Sequence, residues 1–182
     1  MPSSPEMLKD WHDFYLLLGG AAATLVGLLF VAASVGSGFL TPERASASRI
    51  YMTPVIFHFT SILFVCLVVL MPSHARETHC VLISLNGVIG VVASVMVLMG
   101  VLSHSVTDWI DRLAYGAAPA FSYMGTLVAA ALLFLNSDRG AEVLASALVL
   151  LLLANIRNAW DMMLVMVRFR SRAAAESAPP AL

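Results

Sequence analysis

The residues able to do chemistry in this chain are few and stand among long apolar runs. Arg157 and Asp161 lie four residues apart, so on a helix a guanidinium and a carboxylate meet on one face and neutralise each other. With Asn155 and Asn158 they form one polar face about 160° wide on a helical wheel. His58 and Tyr123 are isolated among apolar neighbours. Histidine ordinarily titrates near neutrality, and an ionisable group inside an apolar span is a functional-site hypothesis whose partner must be found. Two readings follow. In one, Arg157 and Asp161 are a self-paired structural lock, the amides and His58 complete hydrogen bonds within a bundle, or Arg157 reaches toward the surface. In the other, His58, Tyr123 and Asp161 share a layer of a cytoplasm-facing polar vestibule in which His58 and Asp161 exchange protons or hold a small ion or solute, with Ser34 and Ser94 as lining.

Other constellations are weaker. His12, Asp13, His74, His79 and Cys80 carry zinc- or copper-compatible donors, but their spacing matches no compact ligand motif. His104, Asp108 and Asp111 fall at i, i+4 and i+7, the pattern of a solvated helix face. Cys66 reads as a small buried hydrophobe. No nucleophile elbow, His-Glu-x-x-His, P-loop or dinucleotide-binding glycine turn occurs, so neither a catalytic residue, a metal site nor a cofactor is expected, and an enzyme ranks third.

The elements that must position these groups follow from composition. Of 182 residues, 60% are hydrophobic and 12% charged, and the mean hydropathy is +0.89. A soluble domain carries about 25% charged residues, so half the usual charge is missing and a polytopic membrane protein is implied. Ten basic against eleven acidic residues leave a net charge of -1, which gives no field for nucleic acid, and two cysteines make no disulfide framework. Residues 14–42, 50–75, 78–107 and 113–137 contain no Asp, Glu, Lys or Arg. Each is long enough for one crossing, which takes about 20 apolar residues. A fifth run, 141–167, holds the Arg157 and Asp161 pair. The expected fold is an all-α integral membrane bundle of five transmembrane helices at 14–36, 54–71, 80–103, 117–135 and 141–167. A tail at 1–13 precedes it, and a basic, then disordered tail at 168–182 follows.

Five crossings separate the termini. Lys9, Arg76 and Arg139 fall on one side; Arg44, Arg49, Arg112, Arg168, Arg170 and Arg172 fall on the other. The positive-inside rule then puts the N-terminus outside and the C-terminus in the cytoplasm. The first span, with Glu6, Asp10 and Asp13 before it, is too long for a signal-peptide core and is expected to be retained. Between the first two spans, Thr41-Pro42-Glu43 reads as the start of a surface helix over 42–53, which Pro54 ends or kinks. Pro119 suits the first turn of the fourth span.

Small residues let helices approach in lipid. Gly20, Ala23, Thr24, Gly27 and Ser34 share a face of the first span, with Gly19, Ala23 and Gly27 at four-residue spacing. Gly87, Gly90 and Ser94 mark the third span, and Ser122, Gly125 and Ala129 the fourth. All are expected to meet other helices, of this chain or of a second copy.

The opening Trp11-His12-Asp13-Phe14-Tyr15, the run Gly19-Gly20-Ala21-Ala22-Ala23-Thr24-Leu25-Val26-Gly27-Leu28-Leu29-Phe30-Val31-Ala32 and the closing Asn158-Ala159-Trp160-Asp161 resemble an uncharacterised family of small bacterial polytopic inner-membrane proteins. The resemblance covers the first span and part of the fifth, and implies a bacterial inner membrane without assigning any residue a role. The expected partners are the lipid bilayer and a second copy. The expected function is a small channel- or transporter-like protein whose substrate or ion is unspecified, or alternatively a non-enzymatic structural or regulatory subunit that binds other membrane proteins.

Overall fold

A computed structural model describes residues 11–37, 42–72, 76–103 and 113–176. Among them are five long α-helices and no strand: α1 (His12–Ser37), α2 (Pro42–Leu70), α3 (Arg76–Ser103), α4 (Ala118–Phe134) and α5 (Arg139–Glu176). Five stretches are long and apolar enough to cross a membrane: His12–Val35, Thr53–Leu70, Glu77–Met99, Tyr115–Phe134 and Arg139–Leu164.

Side-chain contacts fix an up-and-down bundle. Gly19, near the start of α1, faces Cys66 near the end of α2, and Ser61 of α2 meets Asn86 of α3. Gly87 and Gly90 of α3 lie against Leu127 and Tyr123 of α4, and Gly125 of α4 lies against Ala147 of α5. Each consecutive pair is antiparallel. The ring is closed between the first and last helices, where the Tyr15 hydroxyl donates to the Ala141 carbonyl at 3.3 Å. Tyr15, Phe59, Ile62, Ile83, Tyr123, Leu144, Leu148 and Leu151 form the centre of the core, all essentially inaccessible.

The helix ends depart from the sequence expectation in two places, at Pro54 and beyond Val167, while Pro119 falls in the first turn of α4 as expected. Pro42 opens α2 as expected, but α2 runs unbroken through Pro54 instead of ending there, so 42–53 is not a separate surface helix. A proline removes one N–H, that to the Ile50 carbonyl, and inside a membrane bundle neighbouring groups make this tolerable. α4 is preceded by a π-helical turn, Leu113–Ala117, and has Pro119 in its first turn. α5 continues nine residues beyond Val167 to Glu176, so the tail expected to be disordered is helical over 168–176. Arginine and alanine are strong helix formers, and a charge that ends a membrane span does not end a helix. Thr41, the terminal segments 1–10 and 177–182, and the set His104, Asp108 and Asp111 lie outside the described residues.

Between α4 and α5 the chain reverses in a tight cap. Asn136 takes a left-handed φ of 56°, Ser137 N–H bonds the Leu132 carbonyl at 2.9 Å and Asn136 N–H bonds Leu133 at 3.1 Å. This is the Schellman pattern, in which asparagine is one of the few residues to accept that φ at low cost.

The packing glycines make opposite demands. A Cβ on Gly90 would overlap the Tyr123 ring, whereas one on Gly27 would meet nothing within 4 Å. Gly90→Ala should therefore destabilise the bundle by about 1–3 kcal/mol, the usual cost of overpacking, and Gly27→Ala should leave it unchanged. Thermal unfolding of both variants in mild detergent checks the contrast.

Candidate functional site

The sequence singles out His58 and Tyr123 separately; the fold joins them. His58 sits one turn past Pro54 on α2, and Tyr123 lies on the inward face of α4 with Ser122 and Thr126. Both are buried, and His58 Nδ1 lies 2.9 Å from the Tyr123 hydroxyl. The Tyr123 ring reaches that position by lying across Gly90, where any side chain on α3 would block it. Phe57 closes over the pair, its ring 5.6 Å from His58 and 6.3 Å from Tyr123.

Two further residues form a second pair. Ser61, one turn from His58, donates to Asn86 Oδ1 of α3 at 2.8 Å. Neither Ser61 nor Asn86 was expected. The available signal was weak: Asn86 is an amide in the middle of a charge-free window, and Ser61 stands three residues from His58. Most hydroxyls in membrane helices bond back to their own backbone, as Thr24, Ser34, Ser122, Thr126 and Ser146 do here. Ser61 instead reaches across to another helix.

The polar face expected on the fifth span divides. Asn155 and Asn158 point inward and are buried, and Asn155 Nδ2 donates to the Val55 carbonyl of α2 at 2.9 Å. Tyr115, in the π turn, donates to the Asn158 carbonyl at 3.4 Å. Arg157 and Asp161 do pair, at 3.4 Å, but at the rim, with side chains 39% and 32% exposed. Trp160 beside them is turned fully outward.

Asp161 consequently does not share a layer with His58. Val55 meets Asn155 in antiparallel register; His58 lies three residues from that contact in one direction and Asp161 six in the other. Nine residues of helix separate their levels, about 13 Å. The vestibule expected around His58 and Asp161 is replaced by two inner pairs, His58–Tyr123 and Ser61–Asn86, and a separate outer ion pair.

The small-residue stripes also part company. Gly87 and Gly90 face α4, Ser94 is buried, and Gly125 and Ala129 face inward from α4. On α1 the inward face is Tyr15, Leu18, Gly19, Ala22 and Leu29, while Gly20, Ala23, Thr24, Gly27 and Ser34 are exposed. In lipid nothing forces the smaller face inward, because acyl chains solvate leucine as well as a protein core does.

Among the described residues no three of His, Cys, Asp and Glu gather as metal ligands. His12 pairs with its neighbour Asp13 on the surface, and His79 and Cys80 are buried on α3; His74 lies outside the described residues. An open groove of about 390 Å³ runs between α4 and α5, lined by Phe121, Gly125, Glu142, Val143 and Leu150 among others. The hydroxyls of Ser122 and Ser146 in its wall are already bonded to their own helices, so it offers little polar recognition. Comparison with protein-family models, curated proteins and solved structures finds no match, so geometry alone carries the functional reading.

Removing the Tyr123 hydroxyl leaves the buried His58 Nδ1 short of its partner in an apolar surrounding. Tyr123→Phe should cost about 1–3 kcal/mol, the penalty for stranding a buried polar group, in an equilibrium unfolding measurement. A variant as stable as the parent would show that the pair does not hold the bundle.

Proposed function

We propose that this chain is a non-enzymatic membrane subunit that works by associating with other membrane-embedded chains, a second copy being the simplest. The observation that carries this is the outer face of α1. Gly20, Gly27 and Ser34 repeat every seven residues with Ala23 and Thr24 between them, and the face is turned away from α2. Nothing within 4 Å would meet a side chain at Gly20 or Gly27. A seven-residue stripe of small side chains is the surface on which two membrane helices approach closely at a shallow crossing angle. The Thr24 and Ser34 hydroxyls are bonded to Gly20 and Phe30 carbonyls, so backbone packing, not a stranded polar group, would draw the partner. The half-exposed Arg157–Asp161 pair adds a second feature better covered by protein than by acyl chains, since charge within a span is costly in lipid. The setting proposed is a bacterial inner membrane with the N-terminus outside and the C-terminus in the cytoplasm, supported by the three-to-six division of basic residues between the two sides.

A second reading, a small channel- or transporter-like protein, is favoured by one observation: the uncharged polar groups of His58, Ser61, Asn86, Ser94 and Asn155 are spread over about 12 Å of the bundle's length, the rise from Asn86 to Ser94. On this reading the solute site is internal and involves neither Arg157 nor Asp161.

Oxidative crosslinking separates the two. Gly27→Cys in native membranes should give a covalent dimer or a product with another membrane chain, whereas Val88→Cys, on the outer face of α3, should give none. Equal products from both positions, or none from position 27, would defeat the association reading.

A further inference from the structure

The open groove between α4 and α5 carries an inference that goes beyond association and holds whether or not α1 binds another chain. Gly125 and Ala147 make its floor: a Cβ on Gly125 would stand 3.0 Å from that of Ala147, so the two helices approach closely there. Larger side chains rise on either side, Phe121 of α4 and Leu150 of α5, 73% and 44% exposed. The space between them, about 390 Å³, falls within the usual size of a small-molecule site, about 300–1,000 Å³. From Glu142, in the first turn of α5, the groove extends to Leu150. Those eight residues rise about 12 Å, most of the roughly 15 Å of hydrocarbon in one leaflet. The Ser122 and Ser146 hydroxyls in its wall bond their own helices, so the surface offered along that length is apolar.

The mouth of the groove is charged. Glu142 and Arg139 are both exposed, and no ion pair ties either of them to another described residue. Positions three apart on a helix have Cβ atoms about 5–6 Å from each other, so a carboxylate and a guanidinium stand side by side where the span Arg139–Leu164 begins. Asp138, in the turn before α5, adds a second exposed carboxylate. Two carboxylates against one guanidinium disfavour a purely anionic headgroup and favour one that brings a cation together with its phosphate. An ammonium with N–H donors forms charge-assisted hydrogen bonds to a carboxylate, whereas a trimethylated amine has no N–H to give. A membrane helix lying in the groove would cover these charges and would have to supply its own polar partners. An aminophospholipid brings both charges and an acyl chain in one molecule.

We propose that the α4–α5 groove is a binding site for one phosphatidylethanolamine molecule, in the leaflet that meets the α4–α5 turn. Its ammonium lies on Glu142, its phosphate on Arg139, and one acyl chain lies along the floor made by Gly125 and Ala147, between Phe121 and Leu150.

Photolabelling of the full chain tests this, in phosphatidylcholine vesicles doped with a phosphatidylethanolamine that carries a diazirine on its acyl chain. Mass spectrometry should find the label concentrated on residues 121–125 and 146–150. A phosphatidylglycerol probe with the same chain should label these residues about tenfold less, the loss of one charge-assisted hydrogen bond. Glu142→Gln should lower labelling by phosphatidylethanolamine to a similar degree, whereas Glu77→Gln, an exposed carboxylate at the start of the α3 span, should leave it unchanged. Ser146→Phe, which fills the groove from an exposed position, should remove it. Equal labelling by the two probes, labelling indifferent to Glu142→Gln, or label spread evenly over the outer faces of α1 and α3 would each overturn the proposal. So would a disulfide-linked dimer through Phe121→Cys, the mark of a second copy in the groove. If Ser146→Phe fails to fold, the comparison of the two probes on the parent chain still decides it.

Discussion

A polar group inside this bundle has only other parts of the bundle to bond with, and that constraint organises the interior. Acyl chains offer no hydrogen bonds, so each buried amide, hydroxyl or imidazole either bonds to its own helix or draws a second helix to it. Most hydroxyls here take the first course and leave the helices independent. His58, Tyr123, Ser61, Asn86 and Asn155 take the second, and between them they tie α2 to α3, α4 and α5. Apolar packing in lipid is poorly selective among registers. A donor facing a particular acceptor is selective, and a slip of one residue would separate them.

The same constraint explains why glycine and tyrosine are paired at the centre. Tyr123 can present its hydroxyl to His58 only by laying its ring across the adjacent helix, and Gly90 provides the flat surface for it. Packing and hydrogen bonding are here one arrangement: the small residue on α3 permits the polar contact between α2 and α4. The charged pair of α5 is of another kind. Arg157 and Asp161 satisfy each other within a single helix and therefore place no demand on the register of the bundle.

Much of the architecture was legible in the sequence because inserting a charge into lipid is expensive, so windows without Asp, Glu, Lys or Arg mark the spans. The extension of α5 past Val167 was not, because the rule that ends a span is not the rule that ends a helix. His58 and Tyr123 were visible as isolated polar residues, yet their partnership was not. Depth counted from the ends of apolar windows put Asp161 level with His58, whereas the register is set by contacts such as Val55 with Asn155, which no single-helix pattern encodes. Ser61 and Asn86 were hidden by their ordinariness. The outward turn of the α1 stripe was hidden because small residues suit contact with this chain or another equally well.

The link from Tyr15 to Ala141 spans 126 residues and has a consequence for biogenesis. A nascent chain emerges N-terminus first, so the phenol of the first helix enters the membrane while its acceptor is still unmade. Until the fifth helix inserts, α1 is held chiefly by α2, and Tyr15 must find a temporary partner in lipid headgroups, in water or in the insertion machinery. Delivery of Ala141 releases that partner and closes the ring. A chain cut short before α5 would lack the Ala141 carbonyl and leave Tyr15 with only such a temporary partner.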